Sequence, residues 1–295
     1  MQNRLLRSTR NARRKLLTPV SFFAKAHRVG KDDERIFVLS EARDIAGAFV
    51  AARRSGTALT QFPGRPPQDL ASAYAVQDCA LSLWEREVGG WKVGRIKPPS
   101  DAVLGADRLV GPAFSDTILM ATAEPCRLQT FRNGFAAAEA EFMLRLAPQP
   151  GPLPATPDAA MDWIDEVRIG IEIASSPYPR INADGPCVTI ADHGNNAGLL
   201  LGQIVERDRW DRLEEVEVSL AIDGRIAGRA TTATMLDGPF GAARFLIGNL
   251  LSRGIALKPG WWISSGAITG VHEVSPGSQV TASFSGIGSV EALIG

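Results

Sequence analysis

Two stretches of the chain alternate strictly between apolar and polar or small side chains, and they limit the possible folds more than any other feature. In residues 138–146 and 167–174 every second side chain belongs to one apolar face, which is the period of a β-strand with one buried side. The second stretch is rich in β-branched residues, which favours a central strand. The sequence therefore predicts a body built around a β-sheet. The two apolar faces consist of Ala140, Phe142, Leu144 and Leu146, and of Val167, Ile169, Ile171 and Ile173.

Other patterns around these strands predict an α+β protein. The segment 104–114 shows neither period, so we expect it to be irregular. Asp223-Gly224 predicts a hairpin turn between two later strands. Apolar residues at helical spacing predict helices over residues 41–54, 69–88 and 239–253. We divide the chain into a basic, disordered extension over residues 1–36, a smaller N-terminal subdomain with helices over 37–110, and a β-rich catalytic core over 111–295.

Charge is distributed unevenly along the chain. It has 32 basic and 32 acidic residues, but residues 1–31 carry nine basic side chains and no acidic ones. Such a start predicts a disordered extension, a start codon placed too far upstream, or an organellar transit peptide. The balanced total gives no reason to expect nucleic-acid binding, and no stretch approaches the roughly 18 apolar residues that span a membrane. The three cysteines lack disulfide or metal-site spacing, which predicts a reduced, cytoplasmic protein.

The polar face of the first strand carries Glu139 and Glu141 side by side. Residues two apart on a strand point the same way and lie about 6–7 Å apart, so their charges repel unless something compensates them. Most pairs of this kind are solvated strand faces. Glu172 lies on the second strand between the small residues Gly170 and Ala174, where a buried carboxylate is costly without a cation or donors. The three carboxylates therefore predict a cage for a hard cation such as Mg²⁺ or Mn²⁺.

Lys92 lies in a short run, residues 90–94, that predicts a buried strand with Trp91 and Val93 on its other face. A lysine in such a strand usually extends its ammonium group to solvent. The flanking glycines of the same run also let a ligand or another backbone come close. Lys92 is therefore either a solvated charge or a group that faces a ligand.

Six motifs occur in a recognisable order from about residue 37 to the C-terminus. They are AYAVQ at 73–77, GWKVG at 90–94, AEAEF at 138–142, GIEI at 170–173, ADHGNNAG at 191–198 and ISSGA at 263–267. Together they resemble the 2-keto-4-pentenoate (2-hydroxypentadienoate) hydratase branch of the fumarylacetoacetate hydrolase superfamily. The resemblance implies a β-rich, fumarylacetoacetate-hydrolase-like core. It also implies a homo-oligomer, alone or in complex with a related decarboxylase.

The activity that the resemblance implies is a metal-dependent hydratase of aromatic-compound catabolism, which adds water to a 2-hydroxy-2,4-dienoate and gives a 4-hydroxy-2-oxo acid. Mg²⁺ or Mn²⁺ would be chelated by the substrate and would stabilise the charge that develops on its 2-oxygen. The implied metal ligands are Glu139, Glu141 and Glu172. The implied catalytic and substrate-binding residues are Lys92 beside the 2-oxygen, Ser265 with the Gly266 N–H at the substrate carboxylate, and Asp192 and Asn195 around water or substrate.

Three other functions stay open. Decarboxylation of a 2-oxo-dienedioate, the 4-oxalocrotonate decarboxylase reaction, uses the same cage, and Arg95 and Lys97 would suit a second carboxylate unless they are solvated surface cations. C–C bond hydrolases of the superfamily, such as acylpyruvate hydrolases, typically activate water with a His–Glu pair, but no histidine lies between Lys92 and Glu139. A non-catalytic partner subunit would have no need of all three carboxylates. His193-Gly194 also departs from the usual Asn/Ala/Ser turn of the branch.

Overall fold

The computed structural model describes residues 31–148 and 152–295. The first helix begins at Lys31, so residues 31–36, which we assigned to the disordered extension, are helical. Residues 1–30 of the predicted extension lie outside the described residues. Within the described part, no helix is both long and apolar enough to cross a membrane.

Six α-helices and thirteen β-strands lie in the described part of the chain. The helices are α1 (Lys31–Ser55), α2 (Leu70–Leu83), α3 (Ser100–Leu104), α4 (Pro157–Ala160), α5 (Pro186–Ala191) and α6 (Gly238–Ser252). The strands are β1 (Val88–Arg95), β2 (Arg108–Phe114), β3 (Ile118–Met120), β4 (Cys126–Leu128), β5 (Phe135–Leu146), β6 (Ile164–Ser176), β7 (Asn196–Ile204), β8 (Val218–Ile222), β9 (Arg225–Ala230), β10 (Trp262–Ser264), β11 (His272–Glu273), β12 (Gln279–Phe284) and β13 (Gly288–Ile294). Short 3₁₀ turns include His193–Asn195, directly before β7.

These strands form two sheets. The larger has the order β2-β1-β10-β5-β6-β7-β3, with β11 also paired to β5, and the smaller has the order β4-β13-β12-β8-β9. Strands β5 and β6 are antiparallel neighbours in the middle of the larger sheet, and β8 and β9 form a hairpin. The predicted central strands, the hairpin and the α+β class are therefore confirmed.

The apolar faces of β5 and β6 pack against the smaller sheet and α6. Phe142 of β5 lies against Phe284 of β12, with ring centroids 5.3 Å apart. Ile171 of β6 and Leu246 of α6 belong to the same buried cluster. Because the apolar side of β5 points into this core, Glu139 and Glu141 must project from the opposite face.

Helices α1 and α2 form a second apolar cluster together with α5. Phe49 of α1 lies 5.6 Å from Phe62 between ring centroids, and Val188 of α5 belongs to the same cluster. Helix α2 is capped by Asp69, whose carboxylate accepts a hydrogen bond from the Ser72 N–H at 2.8 Å. It ends five residues earlier than predicted, because the chain must straighten to enter β1.

The segment that we expected to be irregular contains strand β2, so this prediction was wrong. Pro112 hides the strand pattern, yet it is tolerated because β2 lies at the edge of the sheet and needs no hydrogen-bond donor there. Gly111 also interrupts the pattern. A glycine is required at this position because a Cβ atom would collide with the carbonyl of His193. Strand β2 crosses the predicted boundary between residues 110 and 111, and the larger sheet therefore continues across it.

Candidate metal centre

Three glutamates meet on the polar face of the larger sheet. Glu139 of β5 is directly opposite Glu172 of β6, and Glu141 is opposite Gly170. One carboxylate oxygen from each of the three glutamates lies within 4.8 Å of the corresponding oxygens of the other two. All three side chains are buried. The fold thus brings together the three residues that we expected to bind a metal ion.

Neighbouring groups fix the directions of two of the three carboxylates. Ser264 of β10 donates its hydroxyl to Glu141 and lies 3.5 Å from Glu172 Oε2. The Gly266 N–H donates to Glu141 Oε2 at 2.9 Å, and the Asn196 side-chain amide donates to Glu172 Oε1 at 2.8 Å. We expected the Gly266 N–H to hold the substrate carboxylate. It orients a candidate metal ligand instead.

Burial makes negative charge in this cluster costly. It raises the pKa of Glu139 to about 7, although the charge of Lys92 opposes this shift. Burial also raises the pKa of Glu141 well above its usual range, and the carboxylates of Glu172 and Glu139 raise it further. Glu141 Oε1 is buried and has no hydrogen-bond partner among the described residues. Three carboxylates, one with an unsatisfied oxygen, are the oxygen-rich ligand set of a hard divalent cation, so these residues fit Mg²⁺ or Mn²⁺.

Lys92 supplies a positive charge at the edge of the cluster. Its Nζ lies 3.3 Å from Glu172 Oε2 and 3.4 Å from Oδ1 of Asn195. Burial would lower the pKa of Lys92, but the charges of the three glutamates outweigh burial and raise the pKa. The side chain is only 5% exposed. The ammonium group is therefore buried and charged, and it does not extend to solvent.

A cavity of about 790 Å³ adjoins Glu139 and Lys92, and its volume is typical of small-molecule sites. Glu139, Lys92 and Asn195 contribute to its lining, as do Ser265 and Thr269. The hydroxyl groups of Ser265 and Thr269 are buried without a hydrogen-bond partner in the part of the chain that the structure describes. Polar atoms left in this state next to a cavity are candidates for contacts with a ligand. The predicted substrate-binding residues Ser265 and Asn195 therefore both lie at the cavity.

Asp192 lies behind the cavity and does not contribute to its lining. Arg53 of α1 donates to both oxygens of the fully buried Asp192 carboxylate, at 2.5 and 2.9 Å. The Ser176 hydroxyl donates to the same carboxylate at 2.6 Å. Burial would raise the pKa of Asp192, but the positive charge of Arg53 outweighs it and lowers the pKa. The structure thus gives Asp192 an internal ion pair in place of the contact with water or substrate that we expected.

Arg53 connects this ion pair to the carboxylates. Besides Asp192, its guanidinium donates to the backbone oxygens of Asn196, at 2.9 Å, and Ser175, at 3.2 Å. Asn196 in turn holds Glu172 through its side chain. Helix α1 therefore braces the turn from which one candidate metal ligand is oriented.

Sequence reasoning missed Arg53, Ser264 and Asn196. Ser264 and Asn196 lie inside the ISSGA and ADHGNNAG motifs, next to Ser265 and Asn195, so these motifs were the available signal. Arg53 and Asp192 are 139 residues apart, and no local pattern connects them.

Comparison with known proteins decides the family. The family model described as fumarylacetoacetate (FAA) hydrolase C-terminal matches residues 113–294, which is more than half of the chain. The chain belongs to the fumarylacetoacetate hydrolase family. The family resemblance that the sequence motifs indicated is thereby confirmed, and the match includes both strands that carry the three glutamates.

Hydratases and a decarboxylase are among the relatives that the chain matches by sequence. The chain is 27% identical over 258 residues to 2-keto-4-pentenoate hydratase of Paraburkholderia xenovorans (strain LB400), covering 85% of this chain and 93% of that protein. It is 28% identical over 134 residues to 4-oxalocrotonate decarboxylase of Pseudomonas putida, covering 44% and 48%. The solved structure of 4-oxalocrotonate decarboxylase from Pseudomonas putida G7, complexed with magnesium and adipate, matches with a TM-score of 0.71 at 22% identity and covers 88% of this chain and 98% of that one. That structural likeness confirms the predicted fold.

Proposed function

We propose that the chain is a divalent-metal-dependent lyase that adds water to a 2-hydroxy-2,4-dienoate and gives a 4-hydroxy-2-oxo acid, in the degradation of aromatic compounds. The observation that carries this proposal is the buried group of Glu139, Glu141 and Glu172 next to Lys92 and a cavity of small-molecule size. The likeness to hydratases of 2-keto-4-pentenoate over most of the chain supports it. Bound Mg²⁺ or Mn²⁺ would supply Lewis-acid stabilisation of a 2-oxo or enol oxygen.

The residues at the cavity take their roles from their positions. The three glutamates hold the ion, and hydrogen bonds from Ser264, Gly266 and Asn196 orient two of them, Glu141 and Glu172. Lys92 stabilises negative charge on the substrate oxygen or delivers a proton, because its ammonium is charged and held at the edge of the ion's ligands. Asn195 accepts a hydrogen bond from Lys92 and helps to orient it.

The two further residues of the predicted site differ in position, because one lines the cavity and the other lies behind it. Ser265 lines the cavity with a free hydroxyl and binds the substrate carboxylate. Asp192 acts through the turn that carries Asn195, with Arg53 as its counter-ion. Asp192 is thus a positioning residue in this proposal and contacts no substrate atom.

Decarboxylation of a 2-oxo-dienedioate is the second candidate. The observation that favours it is the presence of Arg95 and Lys97 in the cavity lining, where a second carboxylate of the substrate would lie. C–C bond hydrolysis has less support, because neither His193 nor His272 lines the cavity. His193 is buried instead between Asp192 and the indole N–H of Trp84, which donates to it at 2.9 Å. A non-catalytic subunit would have no reason to retain three buried carboxylates.

A single assay separates these reactions. Metal-stripped protein is reconstituted with Mg²⁺ or Mn²⁺ and given 2-hydroxypentadienoate and a 2-hydroxymuconate-type diacid in parallel, while UV absorbance reports loss of the dienol and CO₂ release is measured in the same run. The proposal predicts dienol loss without CO₂, abolished by EDTA and restored by the ion. Glu139→Gln should be inactive, while Glu291→Gln, at an exposed position on β13, serves as the matched control. Turnover that persists in EDTA would refute the metal centre, and CO₂ in proportion to dienol loss would establish the decarboxylase.

Two other expectations remain predictions. The cysteines at positions 79, 126 and 187 are unpaired, which fits the reduced, cytoplasmic setting that we infer. The homo-oligomer implied by the resemblance, alone or with a related decarboxylase, can be tested by light scattering of the purified chain.

A further inference from the structure

Two cations lie at the cavity without a carboxylate partner among the residues that the structure describes. Arg95, the last residue of β1, and Lys97 both contribute to the cavity lining and are exposed. Neither forms a salt bridge with any residue in the ranges 31–148 and 152–295. Glu139 is the only acidic residue in the cavity lining among those described. The outer part of the cavity is therefore positively charged.

The pairing of β1 with β2 places Arg95 opposite a second arginine that already has its own counter-ions. Arg95 is directly opposite Arg108 of β2, and like charges in such cross-strand pairs repel each other. Arg108 is buried and is neutralised by Asp237 and by Asp107, whose carboxylate lies 3.6 Å away. Arg95 receives no corresponding carboxylate from any residue for which the structure gives a position. A strand pair with this arrangement is best stabilised by an anion that enters from the cavity.

Lys97 contributes to the lining of the same cavity as Glu139 and Lys92 and is itself exposed. A ligand held in this cavity therefore meets a second exposed cation besides Arg95.

A count of formal charges indicates what such a ligand carries. The three glutamates contribute three negative charges, and a divalent ion together with Lys92 contributes three positive ones, so the inner centre is neutral. Arg95 and Lys97 then leave two positive charges that no carboxylate in the described part of the chain balances. A substrate with one carboxylate would neutralise half of this charge, whereas a dianion would neutralise all of it.

We propose that Arg95 and Lys97 form a subsite for a second carboxylate at the far end of the substrate, so that the chain acts on a 2-hydroxy- or 2-oxo-dienedioate in preference to a monoacid. This inference rests on the proposed function, because the inner carboxylate and 2-oxygen are taken to bind at the metal centre. Arg95 offers the planar pair of donors that matches a carboxylate, and Lys97 adds a point charge. The substrate class does not depend on whether the reaction is hydration or decarboxylation.

Binding can be measured without turnover. The full chain loaded with Mn²⁺ is titrated calorimetrically with 2-oxoadipate and with 2-oxohexanoate, which have the same carbon number and the same metal-chelating end but differ in the second carboxylate. Wild-type protein should bind the diacid at least about tenfold more tightly, the usual order for a charge-assisted hydrogen bond. Arg95→Gln and Lys97→Gln should each weaken binding of the diacid by roughly threefold or more, and the double variant should bind both acids equally.

Controls separate this subsite from general effects of charge. Arg225→Gln, at an exposed position on β9 outside the cavity, should change neither affinity, and binding of the monoacid should stay within about twofold in all variants. Ratios of kcat/KM for the corresponding dienoate and dienedioate provide a second readout. Equal wild-type affinities for the two acids, or an unchanged diacid affinity in the double variant, would overturn the subsite and identify Arg95 and Lys97 as solvated cations. If the monoacid still binds and reacts in that case, the proposed function stands. If neither acid binds to the Mn²⁺-loaded protein, the metal-chelation model fails and the subsite fails with it.

Discussion

The ion pair between Arg53 and Asp192 gives the sharpest prediction about stability. Replacing Arg53 with methionine keeps most of the side-chain volume but leaves the Asp192 carboxylate buried without its cation, since the two side chains are 7% and 0% exposed. Loss of one partner from a buried pair costs about 3–5 kcal/mol. Ser176 still donates to the carboxylate, so we expect Arg53→Met to lie near the lower end, at about 3 kcal/mol. That corresponds to a loss of roughly 150-fold in the folding equilibrium.

The destabilisation should depend on pH in a defined direction. In the wild type the pKa of Asp192 is lowered, so its stabilising contribution is present above the unfolded-state pKa of about 3.9 and is lost only in stronger acid. Without Arg53, burial raises the pKa of this carboxyl group, and the variant then gains stability as pH falls and the group takes up a proton. Urea unfolding followed by circular dichroism at pH 8 and pH 5 should therefore show a smaller difference between variant and wild type at pH 5.

Matched variants distinguish the buried charge from simple loss of packing. Arg54→Met removes the neighbouring arginine, which is exposed and donates to the Leu83 carbonyl, and should cost less than about 1 kcal/mol. Asp192→Asn in the Arg53→Met background removes the stranded charge and should recover about 1–2 kcal/mol. Because Arg53 braces the backbone of Asn196, Arg53→Met should also weaken Mn²⁺ binding by roughly tenfold or more. A cost below 1 kcal/mol at pH 8, or no recovery in the double variant, would refute this reasoning.

Three further predictions concern the metal centre. Glu141→Gln should abolish Mn²⁺ binding in calorimetry yet stabilise the metal-free protein by about 1 kcal/mol at pH 8, because it removes a buried charge; a less stable metal-free variant would contradict this. With a raised pKa at Glu139, the folded metal-free protein retains a proton that the unfolded chain releases above about pH 4.5. Its stability should therefore fall as pH rises toward 7, and the increase in Tm caused by Mn²⁺ should be larger at pH 7.5 than at pH 5.5. Lys92→Ala should lower kcat by about 10²-fold or more with Mn²⁺ affinity nearly unchanged, and a wild-type rate would exclude Lys92 from the chemistry.

The sequence was sufficient to predict those parts of the molecule that depend on a local period. Alternation in β5 and β6 separated the core faces from the face that carries Glu139, Glu141 and Glu172, because successive side chains of a strand point to opposite sides. Strand β2 was missed because Gly111 and Pro112 interrupt its alternation for reasons that lie elsewhere. Gly111 leaves room for the backbone of a distant turn, and Pro112 is tolerated because β2 lies at the edge of the assembled sheet.

Contacts between distant segments set the remainder of the site and could not be predicted from a period. Lys92 lies beside Ser264 because β1 and β10 are parallel neighbours. The sequence of neither strand indicates that the two strands pair. The burial expected for Asp192 could have indicated that a distant cation such as Arg53 is needed. Asp192 follows α5, whose residues 187–191 are all buried, and an aspartate that continues a buried apolar run requires a cation or several donors. Such a residue predicts that a partner exists but does not identify it, since the partner is chosen by the packing of α1 against the turn. A charged residue that is predicted to be buried and has no partner nearby in the sequence therefore indicates a contact with a distant segment. This inference can be made before the fold is known.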